Sequence, residues 1–302
     1  MLFDPAAEEW IHEHVTPTGE IDLVQERFWS TVLRVPVADG QVWLKACTAV
    51  HGHEVALTAA LAERWPDRLP AVIAHDEASG WLLLADGGTA MDSNRDLEHW
   101  VALLPRYAEL QRGEADLSES HVAAGVPDQR IPVLTAAYDA MLSRGLPMEP
   151  GEIARLRAFQ PEFERLCAEL ASGRIPPSIQ HDDLHNGNLY LRGDAYSIID
   201  WGDACIAHPF ETLLATFRNI ERLYGIPSTD SWFTRLKAAY LEPWDQADMV
   251  ADLFDLAMRV AAFSRAATWI RHYDAVPPEI AVQFAPAIPT SLRRFLADVV
   301  GI

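Results

Sequence analysis

The sequence predicts an α+β fold: a small β-rich lobe over residues 1–88 and a large, mainly helical lobe over 89–302. Three observations carry that expectation. Alternating runs of β-branched and aromatic residues, bounded by Gly, Asp and Pro, are concentrated before residue 88. From about Asp96 onward, apolar residues recur at three- and four-residue spacing. That pattern lapses once, where Pro176-Pro177 forbid a helix and two short strand-like runs follow. A length of 302 residues suits two domains, on a usual size of about 100–200 residues each.

The first lobe opens with a short amphipathic segment and a short strand at 21–25. Residues 31–37 and 41–46 read as strands, and Ala38-Asp39-Gly40 between them is a turn signal, so the pair forms a hairpin. Over 51–65, Val55, Leu57, Ala60, Leu61 and Trp65 fall on one helical face until Pro66 stops the helix. Strands at 71–75 and 81–85 flank the polar stretch 76–80, and Asp86-Gly87-Gly88 closes the lobe. The second lobe has helical spacing over 97–111, 133–144, 152–171, 210–224, 231–241, 245–273 and 279–300. Embedded in it, strands at 189–191 and 196–199 enclose Arg192-Gly193-Asp194-Ala195, a second hairpin.

Charge narrows the partners. With 24 Lys and Arg against 44 Asp and Glu, the net charge is -20 and the pI about 4.8. Nucleic acid and anionic membrane surfaces need clustered cations, so neither is an expected partner. The N-terminus carries Asp and Glu where a signal peptide carries Lys or Arg, and no apolar run reaches the 18–20 residues of a membrane span. Cys47, Cys167 and Cys205 are widely spaced without a CxxC pair and read as small buried hydrophobes. A cytoplasmic enzyme is the expectation.

The polar chemistry gathers at the two ends of the second hairpin. His181-Asp182-Asp183-Leu184-His185-Asn186-Gly187-Asn188 precedes it and Asp200-Trp201-Gly202-Asp203 follows it. Two acidic clusters and an Asn, brought together by one hairpin, suit phosphoryl transfer. Asp183 meets the incoming hydroxyl, while the Asn188 carboxamide and the Asp200 carboxylate supply hard oxygen ligands for Mg2+.

This run resembles the aminoglycoside phosphotransferase/choline kinase family, small-molecule relatives of protein kinases. The matching pattern is H-x-D-x-x-x-x-N followed by a hydrophobic pair, Asp and an aromatic-Gly step, here His181 to Asn188 and Ile199-Asp200-Trp201-Gly202. The resemblance implies a protein-kinase-like two-lobe fold and ATP as phosphate donor. It makes Asp183 the catalytic aspartate, Asn188 and Asp200 the metal ligands, and His181 the histidine that supports the loop. Asp182 stands where Gly is commoner in the family. In the first lobe, Lys45 on the third strand is the cation expected on the α- and β-phosphates, and Glu54 on the next helix is its ion-pair partner. Ala85 and Asp86 belong to the connector expected to meet the adenine edge. The turn 26–30, with Ser30, is expected to cover the phosphates although it holds no glycine.

Other readings compete at several positions. Lys45 also suits an ordinary edge strand, and Glu54 the first turn of any helix. His181 and His185 have the i, i+4 spacing of a zinc pair, but Pro176-Pro177 before them and Asn186-Gly187-Asn188 after them deny the helix that spacing needs. Trp201, Asp203, His208 and Glu211 are candidates for the acceptor site, with helix capping the rival reading for Asp203 and His208. Asp245, Asp248, Asp252 and Asp255 share a helical face that suits either an aminated acceptor or plain solvation. The function expected is transfer of the γ-phosphate of ATP to a hydroxyl of an aminoglycoside, amino sugar or amino alcohol. A non-catalytic pseudokinase and a metal-dependent phosphohydrolase are the alternatives; the first leaves the filled catalytic positions without purpose, the second Lys45 and Glu54.

Overall fold

A computed structural model describes residues 5–92, 94–193, 195–244 and 247–300. Its strands are β1 (Asp22–Glu26), β2 (Ser30–Val37), β3 (Gly40–Cys47), β4 (Val72–Asp76), β5 (Trp81–Ala85), β6 (Thr89–Ala90), β7 (Ser178–Gln180), β8 (Leu189–Arg192), β9 (Ala195–Ile198) and β10 (Cys205–Ala207). Its helices are α1 (Pro5–His14), α2 (His53–Arg64), α3 (Glu98–Glu114), α4 (Ser118–Ala123), α5 (Ile131–Ala136), α6 (Tyr138–Leu142), α7 (Pro150–Ser172), α8 (Leu213–Tyr224), α9 (Ser231–Leu241), α10 (Ala247–Ala275), α11 (Pro278–Ala281) and α12 (Ala287–Val300). The α+β class read from the pattern is the one observed. The chain divides into two compact units, Met1–Asn94 with Asn186–Asp203 and Arg95–His185 with Ala204–Ile302.

The first unit is built on a five-stranded sheet of order β1-β2-β3-β5-β4. Pairing is antiparallel, and β2 meets β3 in continuous register from Ser30↔Cys47 to Val37↔Gly40. Gly40, at φ 124°, closes that hairpin in a conformation other residues rarely adopt. Side chains alternate faces along β3. Val42 and Leu44 join Leu33, Val35 and Leu83 under Ala7 and Ile11 of α1, forming an apolar core. Trp43 and Lys45 fall on the other face.

The second hairpin belongs to this first unit, where the sequence pattern had placed it in the helical lobe. The reason is β6, a two-residue strand that the sequence reading missed. It pairs with β8 through Thr89↔Leu191, giving a three-stranded sheet β6-β8-β9. Gly88 permits the approach: at φ 109°, a Cβ there would lie 2.1 Å from the Leu191 carbonyl oxygen. The unit therefore continues past residue 88 to Asn94.

The second unit is mainly helical around the short ladder of β7 and β10. Tyr138, Phe163, Phe263 and Phe295, from α6, α7, α10 and α12, form an aromatic centre, with Tyr138 and Phe263 stacked at 4.6 Å. Three expected helices differ in detail. The segment 133–144 is divided at Ala137, and 279–300 is divided before Ala287 by Pro286, which ends a helix approached from its N-terminal side. Pro209 opens a 3-10 turn, Pro209–Thr212, so α8 starts at Leu213. Among the described residues, no helix is long and apolar enough to cross a membrane.

Candidate active site

In the first unit, the polar face of β3 opens on a cavity of about 250 Å³. Lys45 projects into it because it alternates with the core residues Val42 and Leu44. Glu54 and Thr58, one helical turn apart on α2, line the same cavity. Lys45 Nζ donates to Glu54 Oε1 at 2.6 Å and to Asp200 Oδ1 at 2.5 Å. Lys45 is 9% exposed and Glu54 1%. Burial alone would lower the Lys45 pKa, but Asp200 and Glu54 outweigh it and hold the group firmly charged. Burial raises the Glu54 pKa, and Lys45 opposes that rise. The Cys47 thiol, two residues beyond Lys45 on the same face, contacts Glu54 Oε2 at 3.5 Å. Burial, with Glu54 adding, raises that thiol well above its ordinary range, so it is no nucleophile.

The hairpin β8–β9 positions Asn188 and Asp200. Leu189 pairs with Ile198, and Ile199 N–H donates to the Asn188 carbonyl at 3.0 Å, so the open end of the ladder holds Asn188 beside Asp200. Both line the cavity with Lys45. Asp200 adopts a left-handed conformation, φ 65°. Gly202 is required two positions later, because a Cβ there would meet His51 Nδ1 at 2.2 Å. His51, in the turn before α2, thus packs directly on the segment that carries Asp200, and its Nε2 lies 3.7 Å from Asp203.

The connector behaves differently from expectation. Ala85 lines the cavity, but its N–H is spent on the Ala71 carbonyl at 2.9 Å. Asp86 is a turn residue: its carboxylate accepts from Gln41 Nε2 at 2.7 Å and Gly88 N–H at 2.8 Å, and its carbonyl accepts from Arg192. Gly87, which the sequence reading passed over, is the residue between them that reaches the cavity wall. Ser30 is buried and lines the cavity, and Arg27 N–H closes its turn onto the Ser30 carbonyl at 2.8 Å without a glycine.

In the second unit, the loop after β7 presents Asp183. Its N–H donates to His181 Nδ1 at 3.3 Å, and the His181 N–H donates to the Tyr107 hydroxyl at 2.9 Å. His181 is fully buried, which suits loop support. Thr216 of α8 donates to the Leu184 carbonyl at 2.8 Å. The Asp183 side chain is about a third exposed, and its Oδ2 lies 3.3 Å from His185 Nε2. Arg265 of α10 reaches both Asp182 and Asp183, at 2.9 and 3.4 Å. Neither His185 as a partner of Asp183 nor Arg265 was read from the sequence. A buried Arg within the apolar run Ala261–Ala262–Phe263 to Ala266 is the signal that points to it, since Arg is seldom buried unpaired.

The acceptor candidates fare worse. Trp201 is fully buried and donates to the Ile198 carbonyl, so it packs the interior of the first unit. His208 is 4% exposed and accepts from Phe210 N–H through Nδ1, a capping role; burial pushes its pKa down to about 3. Glu211 is 3% exposed, and neither carboxylate oxygen has a hydrogen-bond partner among the described residues. Burial raises its pKa to about 8, with Asp182 adding, and the Ser264 hydroxyl donates to Gln129 rather than to this carboxylate. Three of the four candidates are thus interior groups rather than walls of an acceptor pocket. Asp203 keeps partial exposure. In the acidic row, Asp252 and Asp255 are exposed and Asp255 pairs with Lys237, as solvated groups do. Asp245 lies outside the described residues, as does the side chain of Asp248.

A sequence model of the phosphotransferase enzyme family matches residues 35–250, a span that holds Lys45, Glu54, Asp183, Asn188 and Asp200. The chain belongs to that family. This phosphotransferase resembles, in fold, a choline kinase from Cryptosporidium parvum (13% identity, TM-score 0.65, 98% of this chain and 95% of that one). It likewise resembles a choline/ethanolamine kinase family protein from Mesorhizobium loti (15%, 0.62, 96% and 94%). A macrolide 2′-phosphotransferase from Brachybacterium faecium is similar at 14% identity and TM-score 0.60, over 98% of each chain. No curated protein sequence matches the chain. The resemblance read from residues 181–202 therefore stands, and the protein is a phosphotransferase of the aminoglycoside phosphotransferase and choline kinase type.

Proposed function

We propose that this phosphotransferase moves the γ-phosphate of ATP to a hydroxyl of a small molecule, with Mg2+, and that the acceptor is an aminoglycoside, amino sugar or amino alcohol. The observation that carries this reading is Lys45 held between Glu54 and Asp200 in one cavity with Asn188. The cavity has apolar walls, including Val32, Leu84 and Ile198, suited to a nucleobase, and a charged end suited to phosphates. The oxygen donors of Asn188 and Asp200 fit a hard divalent cation, and both belong to the cavity wall. Bound there, Mg2+ would neutralise charge on the phosphates. Lys45 adds a second fixed positive charge, oriented by Glu54.

Asp183, five positions ahead of Asn188, takes the acceptor side of the reaction. Its carboxylate orients the acceptor hydroxyl and receives its proton as the oxygen bonds to the γ-phosphorus and ADP departs. His185 and the backbone contact to His181 fix that carboxylate. Most of the rate comes from positioning and preset charge, since the protein makes no bond to the phosphoryl group.

The test is a screen with Mg2+ and ATP against aminoglycosides, amino sugars and amino alcohols, followed by mass spectrometry for a gain of one phosphoryl group. Transfer to one of these classes is the expected result. Nucleotide binding without transfer to any acceptor sinks the proposal and leaves the pseudokinase.

A further inference from the structure

Asp182, the residue at which this chain departs from the commoner Gly, is held in a way that bears on its neighbour. It sits at φ 58°, a conformation that costs a non-glycine residue on the order of 1–2 kcal/mol, and it is 8% exposed. Glycine would relieve both costs, so the carboxylate must answer to something. Its Oδ2 accepts from the Thr268 hydroxyl at 2.6 Å and from Arg265 Nη1 at 2.9 Å. Thr268 is itself aimed by a buried chain, Ser264 donating to Gln129 and Gln129 to Thr268. Arg265 and Thr268 lie one turn apart on α10 and face the same carboxylate.

The other arm of the Arg265 fork, Nη2, lies 3.4 Å from Asp183 Oδ1. Trp269 covers the guanidinium, with the ring centroid 4.9 Å from Cζ. One buried cation therefore spans two consecutive carboxylates and holds the inner one more closely. That asymmetry has a chemical use. A guanidinium facing a lone carboxylate closes on it through two parallel hydrogen bonds, which would occupy both oxygens that a substrate hydroxyl needs. With Asp182 present, the strong contact goes to Asp182, and Asp183 receives a single longer one that orients it without engaging it fully.

We propose that Arg265, anchored by Asp182, is a positioning residue for phosphoryl transfer: it fixes the Asp183 carboxylate while leaving it open to the acceptor. This inference rests on the kinase reading above. Its test uses Mg2+ and ATP with water as acceptor, followed by ADP release, on the full chain. Arg265→Met lowers kcat about 100-fold and leaves the KM for ATP within about threefold, because misplacing a reacting group by about an ångström costs on that order. Arg265→Lys keeps the charge but cannot fork, and falls about tenfold. Asp182→Asn frees Arg265 to close on Asp183 and also falls about tenfold. The double variant Asp182→Asn/Arg265→Met is no slower than Arg265→Met alone, since the anchor acts only through the arginine.

Two outcomes overturn the inference. Wild-type kcat in Arg265→Met, with only the melting temperature lowered, makes the bridge a purely structural ion pair while the kinase reading survives. Where the wild type turns over only with an acceptor from the screen above, the same comparison is run on that acceptor. Equal inactivity of the wild type and Asp183→Ala on water and on every acceptor of the screen removes the kinase reading and the positioning role together. If Arg265→Met does not fold, Arg265→Lys and Asp182→Asn carry the same comparison, and wild-type kcat in both overturns it.

Discussion

The two carboxylate clusters of this phosphotransferase are held in opposite ways. In the first unit, buried Lys45 donates to Glu54 at 2.6 Å and to Asp200 at 2.5 Å; Glu54 is sealed from solvent, while the Asp200 side chain is 39% exposed. In the second, Asp183 is about a third exposed, and the groups that face it, His185 and Arg265, stand off at 3.3 and 3.4 Å. Close ion pairs are strong and rigid, while longer contacts are weaker and more adjustable. The contrast matches the demands on each side. In the proposed reaction every turnover presents the same triphosphate to the first cluster, so a preset site loses nothing. In that reaction the second must admit a hydroxyl and take its proton, so its carboxylate has to stay accessible.

Breaking the second cluster gives the largest effect. Asp183→Ala is expected to lower kcat by about 10²–10⁴, the usual contribution of a positioned proton acceptor. ATP affinity, measured by calorimetry, stays near the wild-type value. A parallel loss of nucleotide binding would show that the two clusters do not divide the labour in this way. Lys45→Met comes next. It leaves Glu54 without its cation in the interior, so nucleotide affinity falls about 100-fold and stability by about 3 kcal/mol. Retained Mg2+-dependent ATP binding at the wild-type level would remove Lys45 from the phosphate site.

Glu211 sharpens the comparison, because it is a buried carboxyl without a cation. Its folded pKa of about 8 lies above the ordinary value of 4.5. The folded protein therefore keeps a proton that the unfolded chain releases. The stability it contributes is full below about pH 4.5 and declines as pH rises toward 8. Glu211→Gln removes that slope: its stability should stay level from pH 5 to pH 8 while the wild type loses on the order of 3 kcal/mol. Identical pH profiles would mean that Glu211 is ionised and paired.

Smaller effects probe the walls of the first cluster. Gly202→Ala drives a Cβ against the His51 ring and must displace the segment that carries Asp200, raising the KM for ATP about tenfold. Cys47→Ser, with its shorter reach to Glu54, changes that KM about twofold at most. A larger change would give the thiol a part in holding Glu54 that its 3.5 Å contact does not suggest.

The same contrast explains what was legible beforehand. Asn188 and Asp200 stand out because a single hairpin gathers them, and Asp183 because it stands five positions before Asn188 in one motif; local spacing is what a sequence displays. Lys45 and Glu54 follow from a strand period of two giving way to a helix period near four. Arg265 could not be found by spacing, since 83 residues separate it from Asp182. His208 takes the capping reading, and Trp201 and Glu211 misled as acceptor candidates for a different reason. They lie in or beside short 3-10 turns, Trp201–Asp203 and Pro209–Thr212, where no periodicity marks an inward face. Residue type then suggested a ligand wall, and tertiary burial decided otherwise. The two-residue strand β6 was too short to read, and with it went the true extent of the first unit.

That extent matters during synthesis. A ribosome that has released residue 94 has made the sheet, Lys45 and Glu54, but neither Asn188 nor Asp200, and β6 still lacks its partner. The missing strands arrive with Asn186–Asp203, about 110 residues later, on the order of ten seconds at ordinary elongation rates. Until then the cavity around Lys45 lacks the walls that Gly187, Asn188, Tyr190 and Asp200 supply. Completion of that cavity thus reports that the whole loop carrying Asp183 has already emerged.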